Sequence, residues 1–141
     1  MFLLDTDTII YSLKGNRIVN EHLERHINDP MAICTITLME LYYGAYKSQK
    51  VTGNLAKIKK LEQVFEIVPI GMDSVEIFGM LKADLEQLGT PLDDFDLAIA
   101  ACALSHNLTL ITNNQKHFKR IEELRLANCR GQSESGLFLA V

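Results

Sequence analysis

Short apolar runs that alternate with helical segments constrain the fold of this chain more than any other feature. The first run, Phe2–Leu4, begins at the second residue and ends at the acidic residue Asp5. Further runs of strand length lie at residues 31–34, 66–70, 108–111 and 124–126. Short strands separated by helices predict an α/β fold, with a mainly parallel sheet that is covered by helices on both faces.

Helical periodicity fills the intervals between these runs. The predicted helices are residues 7–13, 17–28, 37–46, 53–65, 73–88 and 93–105, with a short one ending at residues 118–121. The second helix is expected to place one side inward, with Ile18, Val19, Leu23 and Ile27. Two helices carry the start signal of a polar residue followed by glutamate three positions later, Thr37 with Glu40 and Asp73 with Glu76.

Composition and charge narrow the class of protein. A chain of 141 residues with 48% hydrophobic and 23% charged residues is typical of one globular domain. Apolar runs are far shorter than the roughly 20 residues of a membrane span, and no signal peptide is visible, so we expect a cytoplasmic protein. The net charge of −4 argues against strong overall binding to phosphates. Clustered acids lower the net charge without preventing local phosphate contact.

Several residues are expected to have only structural roles. The three cysteines Cys34, Cys102 and Cys129 are widely spaced and lack a C-x-x-C pattern, which favours buried free thiols. His22 and His26 have a spacing compatible with a metal, but they lie in a polar helix segment and are expected to face solvent. We predict one domain over residues 1–130 and a tail over residues 131–141 whose Gly and Ser content suggests that it leaves the core.

Four polar residues fall where predicted strands end or the following helices begin. They are Asp5, Glu40, Asp96 and Asn114. The carboxyl ends of parallel strands meet at one edge of the sheet, where open α/β folds bind their ligands. Three carboxylates and an amide oxygen suit Mg²⁺ or Mn²⁺. Such ions activate water and stabilise the leaving oxygen of a phosphodiester, so the pattern favours phosphodiester hydrolysis.

Each of these residues also has a structural alternative. Asp5 can cap the helix behind it, Glu40 can form a capping box with Thr37, and Asn114 can be a turn residue. Asp96 shares a first helical turn with Asp93 and Asp94, where carboxylates favour the helix dipole. The residues after Asp96 form an Ala-rich segment suited to packing on a sheet, which favours an inward direction for its carboxylate.

Four sequence blocks carry a family resemblance. They are Leu4–Asp7, Thr37–Ala45, Phe95–Ala101 and Leu110–Phe118, in that order. Together they resemble the PIN-domain family, specifically the VapC ribonuclease toxins of bacterial toxin–antitoxin pairs, over roughly residues 1–128. The resemblance implies a three-layer α/β/α sandwich and an endoribonuclease dependent on Mg²⁺ or Mn²⁺. It also implies structured RNA such as tRNA or rRNA as substrate, a VapB-type antitoxin beside the acidic site, and a homodimer.

The resemblance assigns roles by position. Asp5 and Asp96 are the expected metal ligands, Glu40 holds a second ion or orients water, and Asn114 stands at a fourth corner where many relatives have aspartate. The residues expected to support these ligands are Thr6, Asp94 and Thr112. Lys116 and Lys119 follow Asn114 and are candidates for contacts with RNA phosphates, with simple surface charge as the alternative. Apolar packing or a dimer contact would each account for Tyr42, Tyr43 and Tyr46 on one helix.

Two other functions remain open at the level of sequence. In a haloacid-dehalogenase-like phosphatase, Asp5 would be the nucleophile and Asp7 the acid, but Glu40 and Asp96 would have no role. In a non-catalytic α/β regulatory domain, the acids would be degenerate. A phosphatase should hydrolyse a generic aryl phosphate, whereas a regulatory domain should show neither a response to metal nor RNA cleavage.

Overall fold

Five short strands pair into one parallel sheet: β1 (Phe2–Leu4), β2 (Met31–Cys34), β3 (Glu66–Val68), β4 (Thr109–Ile111) and β5 (Leu126–Ala127). Their order across the sheet is β3-β2-β1-β4-β5, and every neighbouring pair is parallel. The computed structural model describes residues 1–128. The predicted tail and Cys129 lie outside the described residues.

Seven helices connect or follow these strands within residues 1–128. They are α1 (Thr6–Leu13), α2 (Arg17–Arg25), α3 (Thr35–Lys47), α4 (Val51–Val64), α5 (Met72–Gln87), α6 (Asp94–Ser105) and α7 (Gln115–Phe118). Gly15 and Gly89 follow the ends of α1 and α5, and both have a positive φ, 81° and 75°, that favours glycine after a helix. None of these helices has both the length and the apolar character needed to cross a membrane.

The helices cover both faces of the sheet because side chains alternate along each strand. Phe2 and Leu4 face a layer formed by α1 to α4, where the buried residues include Ile9, Val19, Leu41 and Ile58. Leu3 faces the opposite layer, formed largely by α5 and α6, where the buried residues include Leu81, Leu85, Leu97 and Ile99. The predicted three-layer α/β/α sandwich is confirmed.

Neither of the two predicted helix start signals caps its helix. α3 begins at Thr35, and the N-cap position is occupied by Cys34, whose sulfur accepts a hydrogen bond from the Ile36 amide at 3.5 Å. Thr37 therefore lies inside the helix and does not form the predicted capping pair with Glu40. α5 begins one residue before Asp73, and no side chain caps it. Both signals depend on residue spacing alone. Spacing does not show at which residue the preceding strand ends and the helix can begin.

The inward side of α2 was also predicted wrongly in part. The helix ends at Arg25 rather than at residue 28, and Ile27 beyond it is 76% exposed. Ile18 is 49% exposed, whereas Val19 is fully buried. His22, expected in solvent, is only 7% exposed, because it shares the inward side of the helix with Val19. Cys34 and Cys102 are buried free thiols, as predicted.

The strand order places a switch point at the centre of the sheet. β1 pairs with β2 on one side and with β4 on the other, and the connections that follow β1 and β4 run in opposite directions across the sheet, to β2 and to β5. Open α/β sheets bind ligands in the crevice outside the carboxyl ends of the strands at such a point. Asp5 directly follows β1, and Thr112 directly follows β4.

Candidate active site

Asp5 lies at this switch point, where the chain passes from β1 into α1. Its side chain is 3% exposed. Oδ1 accepts a hydrogen bond from the Thr8 amide at 2.9 Å, which caps α1, and Oδ2 accepts one from the Thr112 hydroxyl at 2.5 Å. Burial raises the pKa of the carboxyl above its ordinary value, and the hydrogen bonds from Thr112 and Thr8 oppose the rise. Asp5 is therefore both a helix cap and a carboxylate held by the next strand of the sheet.

Glu40 lies in the middle of α3, on the side that faces the start of α1. Its Oε1 accepts a hydrogen bond from the Thr6 hydroxyl at 2.6 Å. Burial raises the pKa of the carboxyl, the bond from Thr6 opposes that rise, and the charges of Asp7, Asp93 and Asp5 add to it. The structure thus ties Glu40 to the segment that directly follows Asp5.

Asp96 occupies the first turn of α6, and its side chain is half-buried. Burial raises the pKa of Asp96 to about 6, with further contributions from the charges of Asp93, Asp5, Asp7 and Glu40. The carboxylates act on one another because three helix segments bring them to the same edge of the sheet. This concentration of negative charge makes a cation favourable there.

Sequence reasoning missed two members of this acidic group. Asp7 is exposed in the first turn of α1, and its charge raises the pKa of Asp5, Glu40 and Asp96. Asp93 caps α6 by accepting a hydrogen bond from the Phe95 amide at 3.0 Å, and it also raises the pKa of Asp96. Their only signal in the sequence is that each lies two or three residues from a predicted ligand.

The remaining predicted site residues have the following positions. Thr6 and Thr112 donate hydrogen bonds to Glu40 and Asp5, as described above. Asn114 precedes α7, where its amide N–H donates to Thr112 Oγ1 at 2.9 Å and its side-chain amide lies 2.9 Å from His117 Nδ1. Asp94 forms an exposed ion pair with Lys82 on α5, at 2.9 Å. The Asp94 carboxylate is thus paired with a lysine of α5.

Lys116 and Lys119 lie in and directly after α7, and both are exposed. Since α7 follows Asn114, the two ammonium groups stand on the segment that leaves the same edge of the sheet. They are free to approach a phosphate without a desolvation penalty from burial.

The donors fit a divalent cation in chemistry and charge. Carboxylate oxygens are hard ligands, and the pKa values of Glu40 and Asp96 are raised first by burial and then by the charges of neighbouring acids, two effects that a bound cation would oppose. Within residues 1–128, no three acidic, histidine or cysteine side chains are gathered closely enough to hold one ion together. Mg²⁺ commonly binds through one or two carboxylates and keeps several waters, so this arrangement suits it.

Comparison with known proteins places these features in context. A sequence model described as the PIN domain matches residues 2–124. The tRNA(fMet)-specific endonuclease VapC of Salmonella typhimurium is 36% identical over 128 residues, covering 89% of this chain and 95% of the relative. Ribonuclease VapC2 of Rickettsia felis is 35% identical over 136 residues, covering 91% and 97%.

Solved structures agree with this result. The crystal structure of VapBC2 from Rickettsia felis, bound to a DNA fragment from its promoter, contains a chain with a TM-score of 0.84 and 36% identity to this one. The alignment covers 90% of this chain and 97% of that chain.

Proposed function

This chain belongs to the PIN-domain family, and we propose that it is the endoribonuclease toxin of a VapBC-type toxin–antitoxin pair, dependent on Mg²⁺ or Mn²⁺. One observation carries the proposal: carboxylates from three distant segments lie at the switch point of a parallel sheet, near enough that their charges add to the effect of burial in raising the pKa of Glu40 and Asp96. The relatives named as ribonucleases or endonucleases support it.

The residues divide the chemistry among them. Asp5 and Asp96 would hold the ion, and Glu40 would hold a second ion or orient a water molecule. Asn114 would position water or metal. When bound, the divalent ion supplies an activated water and stabilises the leaving oxygen of the phosphodiester. Thr112 and Thr6 hold Asp5 and Glu40 through the hydrogen bonds at 2.5 and 2.6 Å, and Asp94 is a weaker candidate for support.

The experiment that tests the function is RNA cleavage by purified variants with Mn²⁺ or with EDTA. Asp5→Asn is preferable to Asp5→Ala because the amide oxygen can still cap α1. We expect Asp5→Asn to abolish cleavage without unfolding the domain, and EDTA to abolish cleavage by the wild type. Asp73→Asn, at an exposed residue in the first turn of α5, is the matched control and should retain most activity. Cleavage by Asp5→Asn, or in EDTA, would refute the proposal.

A second assay separates this function from the alternatives. An aryl phosphate should not be hydrolysed by the wild-type protein. Hydrolysis that is lost in an Asp7→Asn variant would support the phosphatase hypothesis instead. A protein that neither responds to Mn²⁺ nor cleaves RNA would be a regulatory domain.

We propose structured RNA, such as tRNA or rRNA, as the substrate, and the cytoplasm as the place of action. The Salmonella relative is named as specific for tRNA(fMet). Lys116 and Lys119 are the proposed phosphate contacts. Replacing both with alanine should weaken RNA binding more at low salt than at high salt, because phosphate contacts release counterions.

We propose a VapB-type antitoxin and a second copy of this chain as partners. The Rickettsia felis structure is of VapBC2 as a complex, which supports the antitoxin. For the dimer, α3 presents Met39, Tyr43 and Tyr46 to solvent, with exposures of 55%, 67% and 65%. Tyr42 on the same helix is half-buried and hydrogen-bonded to Glu62, so it belongs to the fold. Light scattering of the wild type and of a Tyr43→Lys variant tests the dimer.

A further inference from the structure

Thr37 is a buried hydroxyl with a role that a helix cap does not explain. It lies inside α3, one turn before Glu40, and its side chain is fully buried. Its Oγ1 is 3.1 Å from Thr6 Oγ1. Thr6 is itself 6% exposed, and its hydroxyl also lies 2.6 Å from Glu40 Oε1. The three side chains form a continuous polar chain between α1 and α3.

The direction of the hydrogen bonds follows from counting hydrogens. A threonine hydroxyl has one hydrogen, whereas an ionised carboxylate only accepts. The shorter contact is to Glu40, so Thr6 gives its hydrogen to that carboxylate. The geometry of the contact between the two threonines suits Thr6 as the donor, but the single hydroxyl hydrogen of Thr6 is already given to the closer Glu40 oxygen. The hydrogen between the two threonines must then come from Thr37, so that Thr37 donates to Thr6 and Thr6 donates to Glu40.

Because both threonine side chains are buried, the loss of one donor in the series Thr37, Thr6 and Glu40 affects the next bond. Water cannot replace a missing donor where both hydroxyls are excluded from solvent. Without the hydrogen from Thr37, the Thr6 hydroxyl loses the bond that fixes its rotation. It then holds the Glu40 carboxylate less firmly at the site.

Resting on the proposed metal-dependent function, we propose that Thr37 is a positioning residue that holds the Glu40 carboxylate through the hydroxyl of Thr6. Loss of a direct partner of a metal ligand typically weakens metal binding by about 10- to 100-fold. Thr37 is one hydrogen bond further from the ligand. We therefore expect a smaller loss, of about fivefold in Mn²⁺ affinity.

A pair of opposite substitutions separates positioning from packing. Thr37→Val keeps the shape and removes the hydroxyl, whereas Thr37→Ser keeps the hydroxyl and removes a methyl group. Titration calorimetry of the full chain with Mn²⁺ should show weaker binding for Thr37→Val and near wild-type binding for Thr37→Ser. If Thr37→Val binds normally, or Thr37→Ser loses as much affinity, the proposal is overturned.

The control is Thr109→Val, which makes the same change at another buried threonine. Thr109 begins β4, at the amino end of the strand and therefore at the edge of the sheet away from the site. Its Mn²⁺ affinity should equal that of the wild type. A loss as large as that of Thr37→Val would show a general effect of removing buried hydroxyls and would overturn the proposal.

A double-mutant cycle tests the chain of bonds without metal. Thr6→Val, Thr37→Val and the double variant are unfolded with urea in EDTA. Because Thr37 acts through Thr6, the double variant should have a midpoint close to that of Thr6→Val alone. Additive decreases would overturn the hydrogen-bond order. A wild type that binds no Mn²⁺ would refute the proposed function, and the cycle would still decide whether Thr37 is coupled to Thr6.

Discussion

Replacing Asp96 with asparagine should make the protein more stable while it removes a proposed metal ligand. The pKa of the carboxyl is raised to about 6, first by burial and then by the charges of Asp93, Asp5, Asp7 and Glu40. At neutral pH, the folded protein therefore contains an ionised group in an unfavourable place. Asparagine has nearly the same shape and carries no charge.

The size of the effect follows from the pKa. A rise from 3.8 to about 6 corresponds to at most about 3 kcal/mol, at about 1.4 kcal/mol per pKa unit. Asp96 is only half-buried, so solvent screening reduces the penalty, and we expect about 1 to 1.5 kcal/mol. In urea, this corresponds to a midpoint about 0.5 to 1 M higher for Asp96→Asn.

The sign of the pH dependence is fixed by the same shift. A carboxyl with a raised pKa keeps its proton longer in the folded state than in the unfolded state. The wild type therefore loses stability as the pH rises from about 4 through about 6, and the loss is complete above that range. The advantage of Asp96→Asn should be full at pH 7.5 and small at pH 4.

Urea denaturation in EDTA at pH 7.5 and pH 4 provides the assay, with Asp94→Asn as the control. Asp94 lies in the same helical turn, but it is exposed and paired with Lys82. Its replacement should change the free energy of unfolding by less than about 0.5 kcal/mol. If Asp96→Asn destabilises the protein at pH 7.5, or has the same effect at both pH values, the electrostatic reasoning is refuted.

Three further outcomes are expected. Mn²⁺ at about 100 times its Kd should stabilise the wild type by about 2.7 kcal/mol and EDTA should reverse this, whereas Asp96→Asn should show little response in thermal unfolding. Thr112→Val should lower the free energy of unfolding by about 1 to 3 kcal/mol, since it leaves Asp5 Oδ2 without its donor. If urea denaturation shows a decrease no larger than that of Thr109→Val, this expectation is contradicted. Asp7→Asn should retain most RNA cleavage and lower the pKa of Asp96 in an NMR titration, because a like charge is removed; loss of cleavage would reopen the phosphatase hypothesis.

The sequence predicts the sheet well because the strands are short apolar runs bounded by polar residues. Asp5 is visible for the same reason, since it ends the first run abruptly. Helix starts are harder to predict. Thr37 and Glu40 match a capping pattern, yet the turn that begins α3 is set by where β2 ends at Cys34. The hydroxyl of Thr37 is directed instead to Thr6, a contact between residues 31 positions apart.

The shifts in the pKa values of the site carboxyls depend on distances through space. Asp7 and Asp93 affect Asp96 because α1 and α6 begin at the same edge of the sheet. Sequence spacing contains no measure of that distance. His22 shows a similar limit in the core, because a nine-residue helix has too few residues to define its inward side by periodicity.

The central position of β1 has a consequence for how the protein is made. β1 is synthesised before the other four strands of the sheet and pairs with β4, so that Phe2 lies opposite Thr109 and the Asp5 amide donates to the Ile111 carbonyl at 3.1 Å. These contacts cannot form until nearly the whole domain has been translated, and contacts so distant in sequence also slow folding. A nascent chain on the ribosome therefore lacks the donor from Thr112 that holds Asp5. If the chain is the endoribonuclease proposed above, this topology would delay its activity on RNA until synthesis is almost finished.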